Sequence, residues 1–207
     1  MKILVACEES QRVCEAFRNK GHEAYSCDIL PTSGNHPEWH IQGDVIPLLD
    51  EEWDMIIAFP PCTYLSNAGA CRLYPHKGQL DIERYNKGLK AKEFFMKFYN
   101  ADCKRIAIEN PISSKIFNMP LHTQEIQPYQ FDLLGVHPYS KRTRLWLKGL
   151  PMLIPTTPYN KPIANYVPAG TSRKIRSKYG TAKRGNDSVN RSKTFLGIAQ
   201  AMADQWG

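Results

Sequence analysis

The chain has 207 residues, 42% of them hydrophobic and 23% charged, which suits one domain with its own apolar core and excludes a disordered low-complexity protein. The first residues are apolar only as far as Glu8 and Glu9, too short a run for a secretory or membrane segment, so a cytoplasmic protein needing no membrane is expected. The six cysteines show no C-x-x-C pair and no zinc-finger spacing; no metal is expected, and the thiols read as reduced and mostly buried.

Read in chain order, the first half alternates short apolar runs with amphipathic stretches, the mark of a mostly parallel, doubly wound α/β sheet. Ile3–Ala6 predicts a strand. Ser10 is placed to cap a helix whose Val13, Ala16 and Phe17 recur at helical spacing, and Gly21 stands where it should stop. His22–Cys27 predicts a second strand. Met55–Phe59, closed by Pro60 and Pro61, predicts a buried parallel one. Asp81–Asn100 reads as a helix, and Arg105–Ile108 as a strand ending at Glu109. Beyond it, Pro128–Leu133 and Thr143–Leu147 are short strand candidates, and Thr194–Ala203 predicts a helix that packs back on the core.

Charge is distributed unevenly. From Lys141 to Lys193 thirteen basic residues face Asp187 alone, a net +12 against +7 for the whole chain, which leaves −5 for the rest. Such a block suits a surface that neutralises nucleic-acid phosphates. A solvated basic face is the plainer alternative. Tyr159, Tyr166 and Tyr179 in this region offer stacking or packing surfaces.

Two strand ends carry the residues of chemical interest. Cys62 follows a buried strand behind two prolines that stiffen the loop, and a thiolate held in one direction is what nucleophilic catalysis requires. An isolated cysteine there would more often be a core thiol. Glu109 supplies the second group: a partly desolvated carboxyl keeps its proton near neutral pH and can donate it to a ring nitrogen. Cytosine needs such a donor, because protonation at N3 opens C6 to a thiol and leaves C5 nucleophilic enough to take a methyl group from a sulfonium. Taken alone, Glu109 would read as a capping or salt-bridged carboxylate. The turn after the first strand holds no glycine but two acids, Glu8 and Glu9, which disfavours a dinucleotide and suits a cationic ligand such as S-adenosylmethionine. Asp28 ends the second strand about 20 residues after that turn, where an acid can accept ribose hydroxyls.

These motifs, in this order, resemble the cytosine-5 DNA methyltransferase family, as a small member with a degenerate glycine loop. Pro61-Cys62 with Ser66 resembles its nucleophile loop, Glu109-Asn110 its Glu-Asn motif, and Lys141-Arg142-Thr143-Arg144 its Arg-x-Arg element. The resemblance implies a Rossmann-like methyltransferase fold, with Cys62, Glu109, Arg144 and Arg142 at the reacting base and Pro61, Ser66, Asn110 and Lys141 against the substrate. It implies S-adenosylmethionine held by the loops of Ala6, Cys7, Glu8, Glu9, Asp28, Asp44 and Pro60, with Asp44 at the adenine and Asn186 or Asn190 standing for a final asparagine motif. The expected organisation is a catalytic core over 1–147, a small basic recognition segment over 148–193, and a C-terminal helix over 194–207. Duplex DNA is the expected partner, with single-stranded DNA, RNA or a free nucleotide as alternatives. Two rival functions stand beside it. An amino methyltransferase acting on cytosine N4 or adenine N6 would use the Pro60-Pro61 loop without a thiol, and a non-catalytic DNA-binding protein could be built on the same fold.

Overall fold

The computed structural model describes residues 1–70, 72–133, 135, 139–158, 162, 164–165 and 193–207. Ile3 to Ala6 are fully buried in β1 (Lys2–Ala6), because a central parallel strand is covered on both faces and leaves no side for water. Next come α1 (Arg12–Arg18), β2 (Glu23–Asp28) and β3 (His40–Gln42). β4 (Met55–Ala58) is buried throughout, and the short α2 (Asn67–Ala70) leads to the long α3 (Ile82–Tyr99), which Asp81 caps by accepting the Arg84 amide. β5 (Ile106–Pro111), β6 (Gln124–Ile126), β7 (Tyr139–Ser140), β8 (Thr143–Lys148), β9 (Ala164–Asn165) and α4 (Leu196–Trp206) complete the chain.

Seven strands form one sheet in the order β3-β2-β1-β4-β5-β8-β6, and β7 pairs with β9. The run from β3 to β5 is parallel, whereas β8 lies antiparallel to both β5 and β6. This is an α/β, mostly parallel sheet compatible with a Rossmann-like winding, its order reversing between β1 and β4. Alternate residues feed two cores. Ile3, Val5, Ile57, Ala107 and Leu145 pack with α1 and α4; Leu4, Ile56, Ala58, Ile108 and Trp146 pack with Phe95 and Phe98 of α3.

Differences from the sequence reading have local causes. Ser10 does not cap α1. Gln11 takes the cap position with φ 57°, and the Glu8 carboxylate instead accepts the Val13 and Cys14 amides at 2.7 and 3.1 Å. Pro128–Phe131 is a 3-10 turn rather than a strand: Pro128 has no N–H for a ladder, and Gln127 and Gln130 close a reciprocal capping box. β5 runs two residues past Glu109 because β8 continues to pair with it as far as Pro111. The division at 147 and 148 is not a structural break. Leu153 is buried, and its backbone N–H and C=O both bond the Gln124 side chain. The C-terminal helix does pack on the core, with Ile198, Ala199, Met202 and Trp206 buried beside α1. Among the described residues no helix is long and apolar enough to cross a membrane.

Candidate active site

The carboxyl ends of β4 and β5 are stitched together by their loops. Asn110, fully buried on β5, donates its Nδ2 to the Pro60 carbonyl at 2.9 Å. Downstream the Asn67 amide donates to the Ile112 carbonyl, the Ser114 amide to the Leu65 carbonyl, and Ser66 bridges Ser113. The Cys62 loop is thus fastened to the strand that carries Glu109. The Cys62 carbonyl accepts the Leu65 and Ser66 amides, closing a tight turn beneath a half-buried thiol, while Pro61 is exposed.

A second brace reaches this loop from α3. Arg84 donates two hydrogen bonds to the Gly69 carbonyl at 3.3 and 3.1 Å and lies over the Tyr64 ring. Gly69 backs directly onto the Thr63 carbonyl oxygen, so that any side chain there would overlap it. Glycine is required at this point for closeness rather than for conformation. Ser66, expected against substrate, is buried and its Oγ accepts the Gly69 amide. Asn110 and Ser66 therefore hold the loop in place, while Asn110 Oδ1 is buried and accepts no hydrogen bond among the described residues.

Glu109 lies on the α1 and α4 face of β5. Thr143 of β8 donates its hydroxyl to Glu109 Oε1 at 2.5 Å. Burial pushes the carboxyl pKa up, and the Lys141 charge and the Thr143 hydroxyl pull against it. The arginines stand elsewhere. Register pairs Asn110 with Arg144 and Glu109 with Leu145, so Arg144 shares the face of Asn110, opposite to Glu109. Its Nε lies 3.7 Å from Glu125, and Arg142, largely exposed, is the same distance from that carboxylate. The cation whose field reaches Glu109 is Lys141, whose ammonium also sits 5.2 Å over the Phe195 ring. Thr143, given no role of its own by the sequence, was signalled only by its position between two arginines on an alternating strand.

The loops after β1, β2 and β3 converge beside this pair. Ala6 is buried and its carbonyl accepts the Phe59 amide, joining the ends of β1 and β4. Burial raises the pKa of Cys7 far above the thiol range, and the negative fields of Asp28 and Asp44 both add to it. Burial, then Asp28, then Asp44 lift Cys27 to about 11. Both aspartates therefore lie within electrostatic reach of the first loop. Each also accepts the backbone amide two residues on, Leu30 for Asp28 and Ile46 for Asp44, which aims the carboxylates from turns. Without glycine the first loop still turns, because Cys7 and Gln11 adopt φ 58° and 57°, costly conformations for such residues and most often kept at functional sites. Glu8 points inward and is committed to α1. Glu9 is the acid left at the rim, with Oε1 buried, accepting no hydrogen bond among the described residues, and 3.8 Å from the Lys193 ammonium.

A cavity of about 1150 Å³ lies at the other end of the sheet, between Met1, Trp53, Asp54, Lys104 and Arg105. It is far from Cys62 and Glu109. Ligands of open α/β sheets bind outside the carboxyl ends of the strands, so the thiol and the half-buried acid locate the site better than cavity size does. Among the described residues no cluster of three or more His, Cys, Asp or Glu is arranged to hold a metal ion. Tyr159, Tyr166, Tyr179, Asn186, Asn190 and most of the basic segment lie outside the described residues. No protein-family model matches the chain, and no curated protein matches it.

Proposed function

We propose that the protein methylates C5 of cytosine in duplex DNA, with Cys62 as nucleophile, Glu109 as acid and S-adenosylmethionine as methyl donor. The observation that carries this reading is the Asn110 bond to the Pro60 carbonyl, which fastens the loop of a thiol to the strand of a half-buried acid. A pure binding module has no need of that pairing. The resemblance of the same motifs to cytosine-5 methyltransferases points the same way.

The residues around the first three loops fit the methyl donor. Asp28 suits ribose hydroxyls, Asp44 an adenine amino group, and the Glu9 carboxylate, with one buried oxygen lacking a hydrogen bond, suits a cationic centre. Cys7 and Pro60 follow the adjacent strands β1 and β4, whose ends the Ala6 carbonyl and Phe59 amide join. When bound, S-adenosylmethionine supplies an electrophilic methyl group.

The chain's own groups do the rest. Glu109, whose protonated form burial favours, donates to N3 as the Cys62 thiolate adds to C6, so the new S–C bond drives electron density to C5 rather than building an anion on the ring. After methylation a water molecule takes the C5 proton, its electron pair restores the C5–C6 double bond and expels the Cys62 thiolate, and N3 returns its proton to Glu109. Lys141 faces the carboxylate that Glu109 becomes. Arg142 and Arg144, drawn toward Glu125, are placed to exchange that partner for a phosphate. The target base must leave the duplex stack at a cost of a few kcal/mol, which phosphate contacts from the basic segment offset.

The test is transfer of labelled methyl from S-adenosylmethionine to duplex DNA, with the product nucleoside identified by mass spectrometry and Cys62→Ala run beside the wild type. The expected result is 5-methylcytosine, lost in the variant. An N-methylated base, still formed by Cys62→Ala, would replace this reading with amino methylation. No transfer to DNA, RNA or nucleotides, with no binding of the donor, would leave a DNA-binding protein.

A further inference from the structure

Glu109 can serve as an acid only if its proton is on the oxygen that faces the base, and a carboxyl group has two oxygens. We propose that Thr143 is the positioning residue that makes this choice, its γ-hydroxyl donating to Oε1 so that the acid proton resides on Oε2. The inference rests on the reading of Glu109 as the N3 donor.

Three observations carry it. The contact is short, with Thr143 buried and Glu109 half-buried. It is built into the sheet: β8 pairs antiparallel with β5, Thr143 lies opposite Pro111 and Leu145 opposite Glu109, so Thr143 and Glu109 share a face by register. The partners are also chemically matched, since a hydroxyl can donate to a carboxyl oxygen in either of its protonation states. Lys141 is the charged group whose field reaches Glu109, and Thr143 is the neutral group bonded to it.

The bond has a direction in the reaction. Before transfer the hydroxyl bonds a neutral carboxylic acid; once the proton passes from Oε2 to N3, the same bond is made to a carboxylate and becomes charge-assisted. It therefore strengthens as the proton leaves, and an interaction that grows along the reaction lowers the barrier. Without it the proton is held more tightly and shared between the two oxygens.

The experiment follows the Glu109 carboxyl carbon directly, by ¹³C NMR titration of glutamate-labelled protein, with the signal assigned by its absence in Glu109→Gln. Thr143→Val keeps the shape and removes the donor; Thr143→Ser keeps the donor. The expected result is an upward shift of the Glu109 midpoint by about one pH unit in Thr143→Val and a midpoint near wild type in Thr143→Ser. In the methyl-transfer assay Thr143→Val should lower kcat about tenfold, move the alkaline limb upward and leave the apparent affinity for the methyl donor unchanged. Equal midpoints in wild type and Thr143→Val, or a failure of Thr143→Ser to restore the shift, would overturn the proposal. Because the titration needs no catalysis, a shifted midpoint in a protein that transfers no methyl group would retain the role of Thr143 and remove the functional reading instead.

Discussion

The loops that follow β1 and β4 leave adjacent strands at the same end of the sheet, yet they are held from different sides. The first is held from α1 and from the β2 side: Glu8 folds back onto the start of α1, its amide donates to the Cys27 carbonyl, the Glu9 carbonyl accepts the Ser33 amide and the Thr32 hydroxyl, and Cys7 and Gln11 accept left-handed backbone where glycine would be relaxed. The second is held by others. Asn110, Ser113, Ile112 and Arg84 contribute its restraints, from β5, the loop beyond it and α3. The contrast suits the proposed tasks. A cofactor loop must present backbone and an acid at a settled position, and the start of α1 together with the segment after β2 supplies that. A nucleophile loop must be registered against a second catalytic group, so its restraints come from the strand that carries that group.

The sharpest way to break the comparison is at the nucleophile. Cys62→Ala should lower methyl transfer by at least about 10³-fold while leaving the thermal midpoint unchanged, because its half-buried thiol lies on a loop held by backbone and neighbouring side chains; retained activity would show that the loop presents something other than a thiol. Asn110→Ala comes next. Loss of a buried donor and of the Pro60 anchor should cost about 2–3 kcal/mol in urea unfolding and lower kcat about 10²-fold, with binding of the methyl donor preserved because the first loop is held from α1 and the β2 side.

Glu8 tests the other side. Burial raises its pKa to about 7, against the pull of two backbone amides and Arg12, and its ordinary value is 4.5. A carboxyl raised on folding binds more protons in the native state, so its contribution is present at low pH and is lost as pH rises from about 4.5 through about 7. The wild type should lose on the order of 2–3 kcal/mol over that window, and Glu8→Gln should flatten the slope when urea midpoints are compared across it. The smallest effect is expected at Glu9. Glu9→Gln should weaken binding of the methyl donor about tenfold in calorimetry and change stability by less than about 1 kcal/mol, since its ion pair with Lys193 is long. A large loss of stability in Glu9→Gln would make the two acids of the first loop alike and erase the contrast.

The legible parts of the fold were those whose pattern is complete within one segment. β1, β4 and β5 read as continuous apolar runs, α3 carried both its period and its Asp81 cap, and each appears where its residues place it. β3 and β6 have three residues each, too few for alternation to register, and exist because a neighbouring strand supplies the ladder. The turn at Pro128 carried strand-like apolar residues, and its proline was the better signal. At the candidate site, Cys62 stood out because it follows an apolar strand, and Glu109 because it interrupts the apolar run of β5. The arginine element was legible as a motif, but its direction was not, since the face of a strand residue depends on its partner's register.

What the sequence determined by itself is therefore the set of parts: an α/β chain with central apolar strands, a thiol and a carboxyl at two strand ends, acids after the first two strands, and a basic block near the C-terminus. These follow from local periodicity and from which residue types can carry which chemistry. The tertiary structure decided the pairings. Only the antiparallel register of β8 against β5 gives Glu109 a hydroxyl partner in Thr143 and sends Arg144 to the opposite face, and only the packing of α1 turns Glu8 inward while Glu9 stays at the rim. The reason is physical: side-chain direction alternates with each residue along a strand, so a motif names the groups present, and the neighbouring strand decides which of them meet.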